Sequence, residues 1–463
     1  MIRAGRGAWR ARIGSAVCLA LLWGLALPAQ ATDLLQIYRM AQRNDPTFQA
    51  ARHAFVAALQ AIPQARAGLL PNVGLEGSDG LTRASTAFSD LAPVDRRIHT
   101  CTWTRRLAQP VFNLEKFDAY RQSRFAVQRA RAQLAQAQAD LILRVARAYF
   151  NVLVAQEEVT AAQAQVSATR QQLGQAQRGY RAGTAAVTDV YEAKARLALA
   201  RSQAVAAAND LEDRRAELQK ITNAWPATLA ALKSTAVIPV PLPDEPSAWM
   251  RQARERNPAV QAQQAALSEA TAAISRARAG YLPTVDLVAS YGDNYSSGNL
   301  TNPVNYSTRY RSGEVDLRVV MPLYAGGATQ SKVAEAVAKR EQAASALEAA
   351  RRRAATEARQ AFAGIKNGLA QIAALQSSLR SGESAVTGNE VGYRLGLRIN
   401  LDVLNAQEQM YVTLRDLAKA RYDTLLQGLK LKAAAGSLSE ADLVTLNALL
   451  AGGEGRTRRA HGG

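Results

Sequence analysis

The chain has 463 residues, 57 Lys and Arg against 38 Asp and Glu, and 48% hydrophobic but only 6% aromatic residues. Three histidines (His53, His99, His461) and two cysteines (Cys18, Cys101) leave little material for a zinc site or a His-based triad, and neither G-x-x-x-x-G-K-[ST] nor G-x-G-x-x-G occurs. These absences argue against an enzyme and lead us to expect no cofactor and no metal.

Arg3, Arg6, Arg10 and Arg12 open the chain, followed by the apolar run Ile13 to Leu27 and then Pro28-Ala29-Gln30-Ala31. A basic start, a short apolar stretch and a small-x-small ending predict a secretory signal over 1–31, cleaved after Ala31. The run is shorter than the ~20 residues a spanning helix needs. Four arginines leave with it, lowering the formal charge from +19 to +15. Cys101 then stands alone, so stability must come from packing or association rather than a disulfide. No cysteine follows the cleavage site, which speaks against an N-terminal lipid anchor. Export also makes nucleic acid a poor partner for the positive charge; a solvated basic face with some contact to anionic lipid fits better.

The chain is written twice. Asp45-Pro46 returns as Asn257-Pro258, Leu70-Pro71 as Leu282-Pro283, and Pro110-Val111-Phe112 as Pro322-Leu323-Tyr324, each proline pair 212 residues apart. Tyr180-Arg181-Ala182-Gly183 matches Tyr393-Arg394-Leu395-Gly396, and Asp189-Val190 matches Asp402-Val403, now 213 apart. The spacing predicts a duplicated module: 32–224, a Pro-rich linker at 225–247, a second copy at 248–435 and a tail at 436–463.

Within each copy the pattern reads helix, strand, strand, long helix, break, helix. Helical character is expected near 33–67, from about Glu115 to Gln177, and over 188–221. In the long segment Leu141, Val145, Ala148, Val152, Ala155, Val159, Ala162, Val166 and Leu173 fall at three- and four-residue steps, with Thr169 the one polar member, a coiled-coil seam. Val285, Leu287, Ala289 and Tyr291 alternate with polar residues, as do Val315, Leu317, Val319 and Met321. In the first copy Val73 and Leu75 open one strand, and Cys101, Trp103 and Leu107 mark another. Tyr291, Tyr295, Tyr306 and Tyr310 are candidates for an aromatic girdle. Four strands cannot close a barrel, whose smallest form has eight, so two or three chains would have to share one. Hairpins capping a soluble helical rod are the alternative.

The duplicated Asn/Asp-Pro and Leu-Pro starts, the Pro322-Leu323-Tyr324-Ala325-Gly326-Gly327 strand-to-helix junction and the two Tyr-x-x-Gly-x-x-x-x-x-Asp-Val turns together resemble the TolC family of outer-membrane channel-tunnels over about 33–445. The resemblance implies an α+β membrane protein. It would be a homotrimer, four strands per chain in a 12-stranded barrel set in outer-membrane lipid, continuing into a periplasmic coiled-coil tunnel. It also implies an iris at the tunnel's far end, with Asp189 facing Tyr393 and Arg398, and a lumen constriction at Asp402 and Asn405. Where some members carry a second acid this chain has Asn405, which leaves one acidic ring rather than two.

Plainer roles stand beside these. Asp189 and Asp402 suit the first turn of a helix by its dipole, Gly183 and Gly396 suit left-handed helix ends, and Tyr180 and Tyr393 suit packing. As partners the resemblance implies a periplasmic adaptor, an inner-membrane ABC transporter and a transported polypeptide such as an adenylate cyclase-haemolysin-like toxin. Small-molecule efflux is the competing cargo class, and a soluble periplasmic scaffold the competing protein class.

Overall fold

The computed structural model describes residues 32–89, 91–226, 228–233 and 235–450; the expected signal peptide and the last residues of the tail lie outside them. The first copy begins with α1 (Leu34–Asn44), α2 (Pro46–Leu59) and α3 (Ala61–Ala67). The single helix expected over 33–67 is thus broken. Asp45 lies in extended backbone before Pro46, which has no N–H to donate and sits where a helix can begin but not continue. Then come β1 (Asn72–Thr86) and β2 (Val94–Phe112), followed by α4 (Leu114–Arg181) and α5 (Val187–Thr222). The second copy repeats the order: α6 (Pro246–Arg256), α7 (Pro258–Arg278), a short 3-10 turn, β3 (Thr284–Ser296), β4 (Thr308–Val320), α8 (Ala328–Arg394) and α9 (Asn400–Ala434). A last helix, α10 (Glu440–Leu449), closes the described chain.

The 68 residues of α4 extend for about 100 Å at 1.5 Å per residue. The predicted seam is real but uneven. Leu141, Val145, Val152 and Ala155 are fully buried, whereas Val159, Ala162, Val166 and Leu173 are only half-covered. Toward the turn the buried row keeps the seam's polar member Thr169 and then passes through Gln172 and Ala176 in place of Leu173. The waist of the rod carries the main core: Leu34, Ile37 and Tyr38 of α1 meet Tyr149, Val152 and Leu153 of α4, Leu425 and Leu429 of α9, and Leu443 of α10. Tyr149 is buried, and its hydroxyl donates to the Ala230 carbonyl at 2.8 Å and reaches the Thr32 carbonyl at 3.3 Å.

Asp45 caps α2 by accepting from the Phe48 amide and takes Nη2 of Arg144 at 2.5 Å. Burial works to raise this carboxyl, but the Arg144 hydrogen bond and charge, with the Phe48 and Thr47 amides, outweigh it and hold the group below its ordinary value. Its contribution to stability is therefore present above the ordinary Asp pKa and is lost as pH falls through the lower folded value. We expect Arg144→Ala to cost about 2–3 kcal/mol near neutrality, since it strands a buried charge. Urea unfolding in detergent at pH 7 and pH 3 should show that gap shrinking at the acidic end.

The four strands form one antiparallel sheet in the order β1-β2-β3-β4, leaving β1 and β4 as open edges. Register sets the faces. Val73, Leu75, Leu107, Leu287, Ala289, Val315, Leu317 and Val319 share one face, and Leu75, Val315, Leu317 and Val319 are each well exposed. The opposite face carries Glu76, Arg106, Asp286, Glu314, Asp316 and Arg318. An apolar outside and a charged inside is the pattern of a membrane barrel. Tyr291, Tyr295 and Trp103 lie on the apolar face, with Trp103 and Tyr291 6.1 Å apart between ring centroids. The expected girdle is corrected in two places: Tyr310 pairs with Asn294 and so lies on the polar face, and Tyr306 falls outside the strands. Among the described residues no helix is long and apolar enough to cross a membrane.

Candidate functional site

The two helical turns, Ala182–Ala186 and Leu395–Ile399, form the candidate site. Both are built on a left-handed glycine, Gly183 at φ 75° and Gly396 at φ 74°. In the first, the Gly183 amide bonds to the Tyr180 carbonyl and the Thr184 amide to the Gly179 carbonyl; in the second, Gly396 bonds to Tyr393 and Leu397 to Gly392. These crossed bonds close a helix end in the usual left-handed way, so the helix-ending role expected of both glycines holds. A second glycine is packed in each turn: a Cβ at Gly179 would stand 3.0 Å from Cβ of Ala185, and the later turn is tighter still. A Cβ at Gly392 would stand 2.7 Å from Cγ of Arg398, so the bare backbone lets that side chain lie over the end of α8.

Asp189 and Asp402 each sit in the first turn of the returning helix, α5 and α9 respectively. Tyr393 is half-buried, and burial, with the negative charge of Asp189, pushes its hydroxyl pKa up. The protomer thus places Asp189 where its field reaches Tyr393. It does not make the expected Arg398–Asp189 pair. Arg398, in the turn just before α9, lies 3.7 Å from Asp402 in that helix's first turn, four residues on in the chain. Asn405 is exposed, and its Oδ1 accepts from Nη2 of Arg196 at 3.0 Å.

The strongest ties between the two copies are ones the motifs did not reveal. Nη1 of Arg196 on α5 meets Oε2 of Glu408 on α9 at 2.6 Å. Asn400, fully buried, accepts from Nε2 of Gln172 at 2.5 Å and donates to the Asp189 carbonyl at 3.2 Å. Nε2 of Gln407 donates to Glu390 at 3.1 Å, while its buried Oε1 has no partner. Asn400 corresponds to Val187 in the first copy, so comparison of the repeats hides it; Arg196 and Glu408 were legible only as oppositely charged residues 212 apart.

A tunnel-forming helical rod, an apolar-faced sheet and paired turns at the far helix ends define a channel subunit. The chain belongs to the outer membrane efflux protein family, whose model matches residues 37–224 and 249–437. It is 32% identical to the outer membrane protein TolC of Escherichia coli over 93% of this chain and 88% of that one. It is likewise 32% identical to the alkaline protease secretion protein AprF of Pseudomonas aeruginosa, over 95% and 92%. Protein CyaE of Bordetella pertussis is 33% identical, but over only 44% of this chain and 42% of its own length. The crystal structure of the outer membrane protein VceC from Vibrio cholerae shares the fold at 19% identity, with a TM-score of 0.73 over 87% of this chain and 96% of that one. The TolC-type resemblance and the duplicated helical fold are therefore borne out, and the relatives are channels rather than enzymes.

Proposed function

We propose that the chain is the outer-membrane exit duct of a tripartite type I protein secretion system, carrying a polypeptide outward. The observation that carries this reading is the near full-length similarity to AprF, whose name states protease secretion. Three copies would join their four-stranded sheets edge to edge into twelve strands and remove the open edges of β1 and β4. A periplasmic adaptor and an inner-membrane ABC transporter would supply the energy. The adenylate cyclase-haemolysin-like toxin suggested by the sequence is the narrower form of this proposal.

The paired turns act as the gate. Asp189, Tyr393 and Arg398 hold the two returning helices inward, and the Asp402 ring favours cations at the constriction. Adaptor contact at the turns untwists the helices and parts these groups. The Arg398–Asp189 bond belongs to this proposal as a contact across copies of the chain, exchanged for the Arg398–Asp402 pair within one protomer.

Small-molecule efflux is the second reading, favoured by the family's own description. A clean deletion strain separates the two. Under type I secretion, one large polypeptide disappears from the culture fluid and returns on complementation. An unchanged secreted profile, with raised sensitivity to toxic small molecules, decides for efflux.

A further inference from the structure

The apolar face of the sheet does not remain apolar up to its loops. Arg309 and Arg311 on β4 stand on the same face in the rows of Tyr295 and Trp103, and Arg83 and Arg97 on β1 and β2 lie beyond those rings toward the loops. Arg105 lies on this face too, its guanidinium 5.2 Å from the centre of the Trp103 ring. Three aspartates share the face. Asp79 pairs with His99 at 2.5 Å, Asp95 begins β2, and Asp293 is almost wholly covered. Five arginines thus stand against three acids.

Two arrangements here make no sense for an isolated sheet. Arg83 and Arg97 are direct cross-strand partners, and among the described residues no carboxylate pairs with either. Like charges placed opposite one another weaken a ladder unless something anionic lies between them. On the other edge, Asp293 takes Nε and Nη2 of Arg309 at 3.0 and 2.7 Å and Nε of Arg311 at 3.2 Å. One acid therefore orients two guanidinium groups, whose side chains stay 61% and 63% exposed.

Position and residue type name the partner. The β1–β2 and β3–β4 connections lie at the end of the sheet away from the helices, because α3 leads into β1 and α4 leaves β2 at the other end. In an outer-membrane barrel this loop end faces outward, so the belt stands at the headgroup level of the outer leaflet. None of the four strands contains a lysine. Guanidinium forks match phosphate oxygens two at a time, whereas an ammonium acts only as a point charge.

We propose that Arg83, Arg97, Arg309 and Arg311 form a phosphate-binding belt on the lipid-facing surface, which docks the phosphorylated glycolipid of the outer leaflet. The inference rests on the outer-membrane reading of the barrel. The phosphates sit between Arg83 and Arg97 and along the Arg309–Arg311 edge, and the rings of Tyr295 and Trp103, in the rows of Arg309 and Arg311, support the sugar–acyl boundary.

The test uses the full-length oligomer purified in detergent, offered bis-phosphorylated lipid A or the same lipid stripped of its phosphates, with retention read by native mass spectrometry. Wild-type protein should hold the phosphorylated form at least tenfold more tightly. Arg83→Gln/Arg97→Gln and Arg309→Gln/Arg311→Gln should each lose about tenfold while keeping the heat-sensitive oligomer. Equal retention of the two lipids by wild type overturns the belt, and that comparison needs no variant to fold. Unchanged binding in both folded variants overturns it as well. A chain that stays soluble without detergent and retains no lipid overturns the barrel itself, an outcome distinct from a detergent-soluble oligomer indifferent to phosphate.

Discussion

Replacing Arg196 and Arg398 together by alanine should raise the open probability of the channel about tenfold. Arg196 ties α5 to α9 through Glu408 at 2.6 Å and Asn405 at 3.0 Å, and Arg398 holds Asp402 at 3.7 Å beside the gate turn. Both ion pairs are partly exposed, so each contributes only about 0.2–1 kcal/mol. Two pairs in each of three copies sum to about 1–6 kcal/mol, and a factor of ten between closed and open, about 1.4 kcal/mol, is the low end of that range. Single-channel recording in planar bilayers, at matched oligomer insertion, measures this directly. Unchanged conductance would remove these arginines from the gate. Arg196→Ala and Glu408→Ala should also be non-additive, since each alone breaks the same contact. The variants leave Asp402 and Glu408 without their cations, so preference for cations should rise as conductance does.

Gly436→Ala should be the most damaging single-methyl change in the chain. Gly436 ends α9 at φ 70°, where its amide bonds to the Ala433 carbonyl and that of Ser437 to the Lys432 carbonyl. Its bare face lies on the break between α6 and α7. A Cβ there would stand 2.1 Å from the Arg256 carbonyl oxygen and 3.1 Å from the Asn257 nitrogen. The Asn257 side chain clasps the same place, donating to the Ala434 carbonyl at 2.9 Å. Neither backbone can give way without unpicking a helix end. The left-handed conformation costs about 1–2 kcal/mol for alanine, and the overlap adds about 1–3 kcal/mol more. Gly183→Ala is the matched comparison, with a similar φ of 75° but open space around the methyl. Urea unfolding of the detergent-solubilised protein should therefore show a clearly larger loss for Gly436→Ala. Equal losses would mean that the dihedral alone matters and the two helix ends are not in firm contact.

Much of this architecture is legible in the residues because duplication supplies an internal control. The proline pairs locate the same helix breaks and strand ends twice, and apolar periodicity locates the long rods to within a few residues. What periodicity misses is polar burial. Spacing alone places Thr169 as the one polar member of the seam, while Gln172, Asn400 and Gln407 fall in no predicted seam, yet all are buried toward the paired helix turns, where hydrogen bonds replace apolar contact. The motif-based gate names Asp189, Tyr393 and Arg398, and the motif-based constriction Asp402 and Asn405; Asp189, Tyr393, Arg398 and Asp402 stand in or within a helical turn of the paired turns. Their pairing was less legible, because charge and spacing fit Arg398 with Asp402 as well as with Asp189. The Asp45-Pro46 pair is visible in the sequence as a repeated motif, but the helix expected over 33–67 runs through it, and the pairing of Asp45 with Arg144, 99 residues away, could not be read. Tyr310 shows the limit of composition: only register decides which side of a sheet a ring occupies.

The waist of the molecule joins residues that leave the ribosome far apart in time. Thr32 bridges Leu229, Leu232 bridges Leu450, and the Lys233 amide bonds to the Leu449 carbonyl. Arg39 of the first helix meets Glu440 of the last. The earliest, middle and latest parts of the chain are thus laced into one knot-like girdle around Tyr149. A chain interrupted anywhere before Leu443 lacks the residue that seals this cluster. Closure of the waist therefore depends on residues as late as Leu450, and a chain cut before Leu443 should be cleaved by protease faster than the full chain.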